Sequence, residues 1–240
     1  MINFLQDLKD NNILPDRVFP PALYERVAPE INRGEILRYA GIPAAILRAR
    51  GEGKKDESYL DENGKSTIPA DPELTGRLED VIKLTEGQLS FRISYVCAGL
   101  GWTKDGYPEL PFEQKSSDLK RNLSGCRGVI IFAATIGAGI DRLIRRYERT
   151  EAATGLLLQG MGAERVESFV DAFNEEIKEA AEKAGLFAHP RYSPGYGDLP
   201  ITVQPDLLRL VDAEKRLGIT LNASYLMSPS KSVTAIIGIE

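Results

Sequence analysis

The sequence predicts an α+β fold, in which a mixed or antiparallel sheet carries packed helices. Residues 89–95 alternate apolar and polar side chains, which is typical of a half-buried strand. Residues 129–134 are apolar throughout, as in a central strand, and residues 164–184 carry a long apolar stripe at helical spacing. The helices between the strands are of unequal length, and one strand alternates apolar and polar side chains. Both features favour an α+β fold over a doubly wound parallel sheet.

Three further helices follow from capping residues and apolar periodicity. Asp71 and Pro72 have the pattern of an N-cap followed by proline at the first helical position, and the apolar face that begins there runs to Gly87. A second helix is expected over 140–149. A third should begin near Pro205 and end before the glycine at 218, because glycine commonly follows a helix.

The strands should differ in burial. The polar face of strand 89–95 is expected to be solvated or to contact a partner, whereas both faces of 129–134 should be covered. The chain ends in a further stretch, 233–239, that predicts a final strand.

The expected domain organisation has three parts. Residues 1–50 form an N-terminal segment that packs as a flap on the main domain, and residues 51–71 form a loop, because glycine, asparagine and proline interrupt a charged stretch without a clear period. Residues 72–240 form the core. No internal repeat is found.

Composition excludes several classes of protein. A formal charge of -5 gives no electrostatic reason to bind nucleic acid. No apolar stretch approaches the roughly 20 residues that span a bilayer, and the N-terminus is unlike a signal peptide. No membrane contact is therefore expected, and the chain should remain in the cytoplasm.

The supply of metal-binding and catalytic side chains is small. Cys97 and Cys126 lack a CxxC partner and are interpreted as buried small apolar groups. His189 is the only histidine, so no metal site and no usual Ser-His or Cys-His catalytic pair is expected. We therefore expect no catalytic residue of these kinds.

Two segments have an obvious structural interpretation beside a functional one. The turn at Gly137 and Gly139 follows a strand as in dinucleotide folds, but Arg142 replaces the third glycine, so a tight packed turn is favoured. The arginines at 142, 145, 146 and 149 would form a basic patch on one helix, and a solvated helix face is favoured there.

Residues 189–200 are the most informative candidate site. Three prolines exclude a helix and make this segment a stiff loop, which lowers the entropy lost when a ligand binds. Arg191 can hold a carboxylate with two parallel hydrogen bonds, Gly195 allows close approach to the backbone, and Tyr192 or Tyr196 can face a cation or an adenine. A structural connector is an equally good interpretation from these residues alone.

Residues 227–232 precede the final strand. The small polar residues around Lys231 could contact a ligand, although a simple turn at Pro229 is favoured. The additional ligand-binding candidates are Ser193, Pro194, Ser230, Lys231 and Ser232.

A family resemblance is carried by two C-terminal motifs. The sequence RYSPGYGDLP at 191–200, and RLGITLNASYLMSPSKSVTAIIGI at 216–239, resemble the activation domain of vitamin B12-dependent methionine synthase, and especially its free-standing bacterial forms. A looser collinear likeness begins near residue 33 with RGEILRYAGI and continues in NLSGCRGVIIFAATIGAGID at 122–141.

The resemblance implies an accessory protein that binds S-adenosylmethionine. That ligand would be presented for reductive methylation of cob(II)alamin carried by a separate methionine synthase, with a flavodoxin-like reductant as a further partner. By position, Arg191 matches the family's carboxylate-binding arginine, Tyr192 the residue whose backbone contacts adenine, and Gly195 and Tyr196 the rest of the loop.

This chain also departs from the family pattern. Gly197 and Asp198 stand where the synthase has proline and a small residue, and no acidic residue for the ligand amino group can be placed from the sequence. No corrinoid-binding motif is present, so the chain is not a complete methionine synthase. Two alternatives stay open: service to another corrinoid methyltransferase, or a non-catalytic interaction module that has lost the ligand.

Overall fold

The computed structural model describes residues 1–26, 29–42 and 72–240. The loop predicted over 51–71 and the N-cap predicted at Asp71 lie outside these residues. The helices of the described parts are α1 (Ile2–Lys9), α2 (Arg33–Tyr39), α3 (Pro72–Thr85), α4 (Ser117–Asn122), α5 (Gly139–Thr150), α6 (Ala152–Ala184), α7 (Gln204–Leu210) and α8 (Ala213–Leu217), with a 3-10 turn at Ile201–Val203. The strands are β1 (Ala22–Glu25), β2 (Arg92–Gly99), β3 (Gly101–Trp102), β4 (Pro108–Glu109), β5 (Gly128–Thr135), β6 (Thr220–Leu221), β7 (Met227–Ser228) and β8 (Ser232–Ile239).

Four strands form one antiparallel sheet in the order β1-β2-β5-β8. Within it, β5 pairs along its whole length with both neighbours, so that Thr135 lies opposite Arg92 on one side and Ser232 on the other. All residues of β5 are buried, which confirms the central strand predicted over 129–134. The sheet and its helices confirm the predicted α+β class.

Helices cover both faces of the sheet. On one face α1 and α6 pack against it, and Phe173 of α6 lies edge-on to Phe132 of β5 with ring centroids 5.4 Å apart. On the other face α4, α7 and α8 contribute Leu119, Leu207 and Leu217 to a second apolar cluster. A third cluster joins α2, α3, α5 and the first half of α6. Burial of this apolar surface is the main stabilising contribution.

The strand predicted at 89–95 is expected to have one solvated or partner-facing side, and this expectation is wrong for the residues that form the strand. β2 begins at Arg92, and the hydroxyl of Ser94 is buried and donates to the carbonyl oxygen of Val211 at 2.5 Å. Arg92 donates to the carbonyl oxygens of residues 216 and 217 at 3.1 and 3.3 Å. Carbonyl groups at helix ends lack intrahelical partners, and these polar side chains satisfy them. At Arg92 and Ser94 the alternation therefore reflects contacts with helix ends, whereas Ser90, which precedes β2, is exposed.

Two helices differ from prediction in their bounds. α6 begins at Ala152, well before residue 164, because the glycines in its first third obscure the apolar period. The single helix expected from Pro205 is two helices, since Asp212 adopts φ +52° between α7 and α8. No helix in the described parts of the chain is long and apolar enough to cross a bilayer.

Part of the N-terminal segment is joined closely to α6. The buried Arg165 donates to the carbonyl oxygens of Pro29 and Glu30 at 2.6 and 2.9 Å, and Glu164 accepts from the backbone N–H of Asn32 at 3.0 Å. β1, in addition, is an edge strand of the main sheet. The predicted boundary near residue 50 lies outside the described residues, so the division into flap and core stays a prediction.

Candidate ligand-binding site

The proline-rich loop runs beside β8, the edge strand opposite β1 in the sheet. Ala188 bridges to Ile239 and Tyr192 bridges to Ile236, so the start of the loop extends the sheet by isolated antiparallel pairs. This placement brings the start of the loop next to α6, because both pack on the same face of the sheet. The side chain of Arg191 therefore meets α6.

Arg191 lies between two carboxylates of α6. Its Nη2 atom lies 2.7 Å from Oε2 of Glu167, and its Nη1 atom forms an ion pair with Asp171. The arginine side chain is 25% exposed, and those of Glu167 and Asp171 are 35% and 64% exposed. The guanidinium is thus already paired with two protein carboxylates, one partly buried and one exposed.

This arrangement can bind a zwitterion. A guanidinium carries five N–H donors, and the two ion pairs use one terminal nitrogen each. A ligand carboxylate can bind the remaining donors while a ligand ammonium binds the carboxylates of Glu167 and Asp171. Sequence reasoning missed these acidic residues. Their spacing of four places them on one helix face, but only the packing of α6 shows that this face meets Arg191.

An open groove continues from Arg191 toward residues 187–190. It has a volume of about 520 Å³ and lies between α6 and the start of the loop. Asn174 lines this groove, and its Oδ1 atom is buried without a hydrogen-bond partner among the described residues. The groove thus offers space beside the charged cluster.

The two loop tyrosines have different surroundings. Both backbone polar groups of Tyr192 pair with Ile236 at 2.8 Å, and burial raises the pKa of its phenol, with the nearby Asp118 and Asp198 carboxylates adding to the effect. An adenine at Tyr192 would therefore meet the ring or the second lone pair of its carbonyl. Tyr196 is 67% exposed, so its ring is available to a ligand.

The other loop candidates shape the turn. The N–H of Gly195, at φ +91°, donates to the carbonyl oxygen of Leu199 at 2.9 Å. The carbonyl oxygen of Ser193 accepts from the N–H of Tyr196 at 3.2 Å, and Pro194 is buried. These contacts give the loop a defined conformation.

The family model for the activation domain of vitamin B12 dependent methionine synthase matches residues 117–239, which is 123 of 240 residues. The chain belongs to this family. Among solved structures, the fold resembles a crystal structure of the MetH reactivation domain bound to AdoHcy, with a TM-score of 0.60 and 15% sequence identity. That match covers 93% of this chain and 80% of the other. None of the curated proteins compared with the chain is significantly similar to it in sequence.

The family and the fold together support the role of a reactivation domain. The match confirms the resemblance inferred from the two C-terminal motifs, both of which lie within residues 117–239. The individual ligand contacts stay predictions.

The candidates in the second motif of this activation domain are engaged by protein groups. The hydroxyl and N–H of Ser230 donate to Asp141, and Nζ of Lys231 donates to Gln159 at 2.8 Å. Burial lowers the pKa of Lys231, while the carboxylates of Asp141 and Glu148 act in the opposite direction.

Ser232 begins β8 and is paired within the protein. Its hydroxyl bonds to Thr135 at 3.0 Å and to the carbonyl oxygen of Pro229 at 2.8 Å. It lies four residues before Ile236, the partner of Tyr192, which is about 13 Å along an extended strand. The structure therefore does not bring this turn together with Arg191.

The remaining candidates have structural surroundings. A Cβ at Gly139 would overlap the carbonyl oxygen of Gln88, so the turn after β5 is tightly packed. Cys97 and Cys126 are buried free thiols. No group of three or more His, Cys, Asp or Glu side chains within 1–26, 29–42 and 72–240 is arranged to hold a metal ion.

Proposed function

We propose that this chain binds S-adenosylmethionine at the Arg191 loop and presents its methyl group to a corrinoid on a separate B12-dependent methionine synthase. The observation that carries the proposal is the alternation of charge at Glu167, Arg191 and Asp171 beside an open groove. An amino-acid end group has a carboxylate and an ammonium a few ångströms apart. A site with both charges held on rigid elements matches it.

The reaction needs little chemistry from this chain. One electron from a reductant such as a flavodoxin-like protein converts cob(II)alamin to the cob(I) state. The cobalt electron pair then takes the methyl group as the carbon–sulfur bond breaks, which leaves S-adenosylhomocysteine and methylated corrinoid. The chain contributes by holding the sulfonium in a fixed orientation, and orientation alone can supply a large part of a rate enhancement.

The cobalamin belongs to the partner in this proposal. Membership in the activation-domain family implies a B12-dependent partner domain, and the chain's own role is to bring the methyl donor to it. The sulfonium must then face outward from the site, because the corrinoid has to reach the methyl group.

Calorimetric titration with S-adenosylhomocysteine tests ligand binding, with 5′-methylthioadenosine as a matched probe that lacks the amino-acid end. Arg191→Ala and Glu167→Gln should each weaken S-adenosylhomocysteine binding by about tenfold or more, because each removes a charge-assisted contact. Neither change should alter binding of the shorter probe. Arg209→Ala is the control, since within the described residues the ion pair of Arg209 is with Asp206 on the surface of α7.

Two outcomes would contradict the proposal. One is a wild-type chain that binds neither probe, in which case the interaction-module alternative takes its place. The other is equal loss of both probes in the two variants, which would mean that the charged cluster does not hold the amino-acid end.

A further inference from the structure

The carboxylate of Asp198 joins the loop to the first turn of α4. It accepts hydrogen bonds from the hydroxyl of Ser116, from the N–H of Ser117 at 2.7 Å and from the N–H of Asp118 at 3.1 Å. The carboxylate of Asp118 in turn accepts from the N–H of Asp198 at 3.3 Å. The hydrogen bond from Ser116 is the largest cause of a lowered pKa at Asp198.

Gly197 makes this contact possible. Its φ is +51°, a left-handed conformation that side chains other than glycine rarely adopt. A Cβ there would overlap a carboxylate oxygen of Asp118 and would lie 2.5 Å from the hydroxyl oxygen of Tyr192. Gly197 and Asp198 are the two positions at which the loop departs from the methionine synthase pattern, and together they form the contact with α4.

The hydrogen bonds of Tyr192 fix the other end of the loop segment 193–197. The backbone of Tyr192 is paired with β8, and its hydroxyl donates to the carbonyl oxygen of Tyr196 at 3.2 Å. Residues 193–197 are thus fixed on one side by the sheet and on the other by α4. A loop held in this way loses little conformational entropy when a ligand binds.

We propose that Asp198 is a positioning residue, which holds Gly195 and Tyr196 in the conformation that receives the adenosyl part of the ligand. It acts through the loop and does not itself contact the ligand. This inference rests on the proposed function. It differs from a general structural role because it requires ligand affinity to depend on the carboxylate even where the fold is intact.

The test compares Asp198→Ala and Asp198→Asn with wild type, using 5′-methylthioadenosine and S-adenosylhomocysteine as probes and thermal unfolding as a parallel measurement. We expect the alanine variant to lose about tenfold in affinity for both probes, because binding must then order the loop. The asparagine variant keeps one acceptor oxygen and should lose less. Asp206→Asn is the matched control, since in the part of the chain that the structure describes Asp206 pairs with Arg209, outside the loop.

Ser116→Ala removes one of the three hydrogen bonds to the carboxylate and should fall between wild type and Asp198→Ala in affinity. It also gives a test if the alanine variant at 198 does not fold. Wild-type affinity in folded Asp198→Ala, or a lower melting temperature with unchanged affinity, would overturn the positioning role while leaving the proposed function intact. A wild-type chain that binds neither probe would overturn both.

Discussion

Cys97 and Cys126 keep their protons in the folded chain, because burial raises the pKa of each thiol to about 12. In the unfolded chain the pKa of the same thiols is about 8.5. The folded state therefore binds more protons between these values. The contribution of these two protonated thiols to stability is fully present below about pH 8.5 and is lost as the pH rises toward 12.

Because stability should fall as the pH rises, the pH dependence of unfolding can be predicted. Urea unfolding at pH 7 and pH 9.5 should show a lower free energy of unfolding at the higher pH. The double variant Cys97→Ala, Cys126→Ala should be less stable overall but should show a smaller difference between the two pH values. An equal difference in variant and wild type would mean that other groups cause the dependence.

At the scale of single residues, the sequence predicts the candidate residues of the loop better than the acidic residues that pair with Arg191. Arg191 and the tyrosines are recognisable because proline and glycine mark a stiff loop around them. Glu167 and Asp171 are separated from Arg191 by 24 and 20 positions, and their role depends on which face of α6 meets β8. That relation is a product of tertiary packing and leaves no local pattern.

At the scale of elements, the contact between α2 and α6 depends on one glycine. A Cβ at Gly160 would overlap the carbonyl oxygen of Ile36 and lie 2.9 Å from the backbone nitrogen of Ala40. Backbone atoms cannot move away as the end of a flexible side chain can. The two helices therefore approach this closely because residue 160 has no side chain.

Alanine substitutions at two helical glycines should have opposite effects. Gly160→Ala should lower the free energy of unfolding by about 1–3 kcal/mol through overpacking. At Gly76 in α3 the new methyl group of Gly76→Ala would meet no other part of the described residues within 4 Å, and the change should raise the free energy of unfolding by about 0.5–1 kcal/mol, since alanine is the better helix former. Chemical denaturation measures both. A stabilising change at Gly160 would show that α2 and α6 are farther apart than described.

The elements show where periodicity suffices and where it fails. β5, α5 and β8 follow from their apolar patterns because the sheet and its helices bury those side chains directly. The pattern of β2 misleads because Ser94 and Arg92 satisfy helix carbonyls inside the protein. A polar side chain in a strand indicates a hydrogen-bonding environment, and water is only one such environment.

On the scale of the whole molecule, α6 connects the parts. It contacts α2 at Gly160, the sheet through Phe173 and the proline-rich loop through Glu167. The two carboxylates of the candidate site therefore lie on a helix, an element that holds binding groups accurately, and Arg191 lies in a loop that pairs with the edge strand β8. The N-terminal segment is distant in sequence from this site but packs on the same helix.

We propose above that the chain delivers a methyl group to a corrinoid on another protein. The most direct test mixes it with a methionine synthase that lacks its own activation domain and carries cob(II)alamin, a flavodoxin-like reductant, and S-adenosylmethionine with a radioactive methyl group. We predict labelled corrinoid with the wild-type chain and little with Arg191→Ala. Equal labelling in the presence and absence of the chain would contradict the claim.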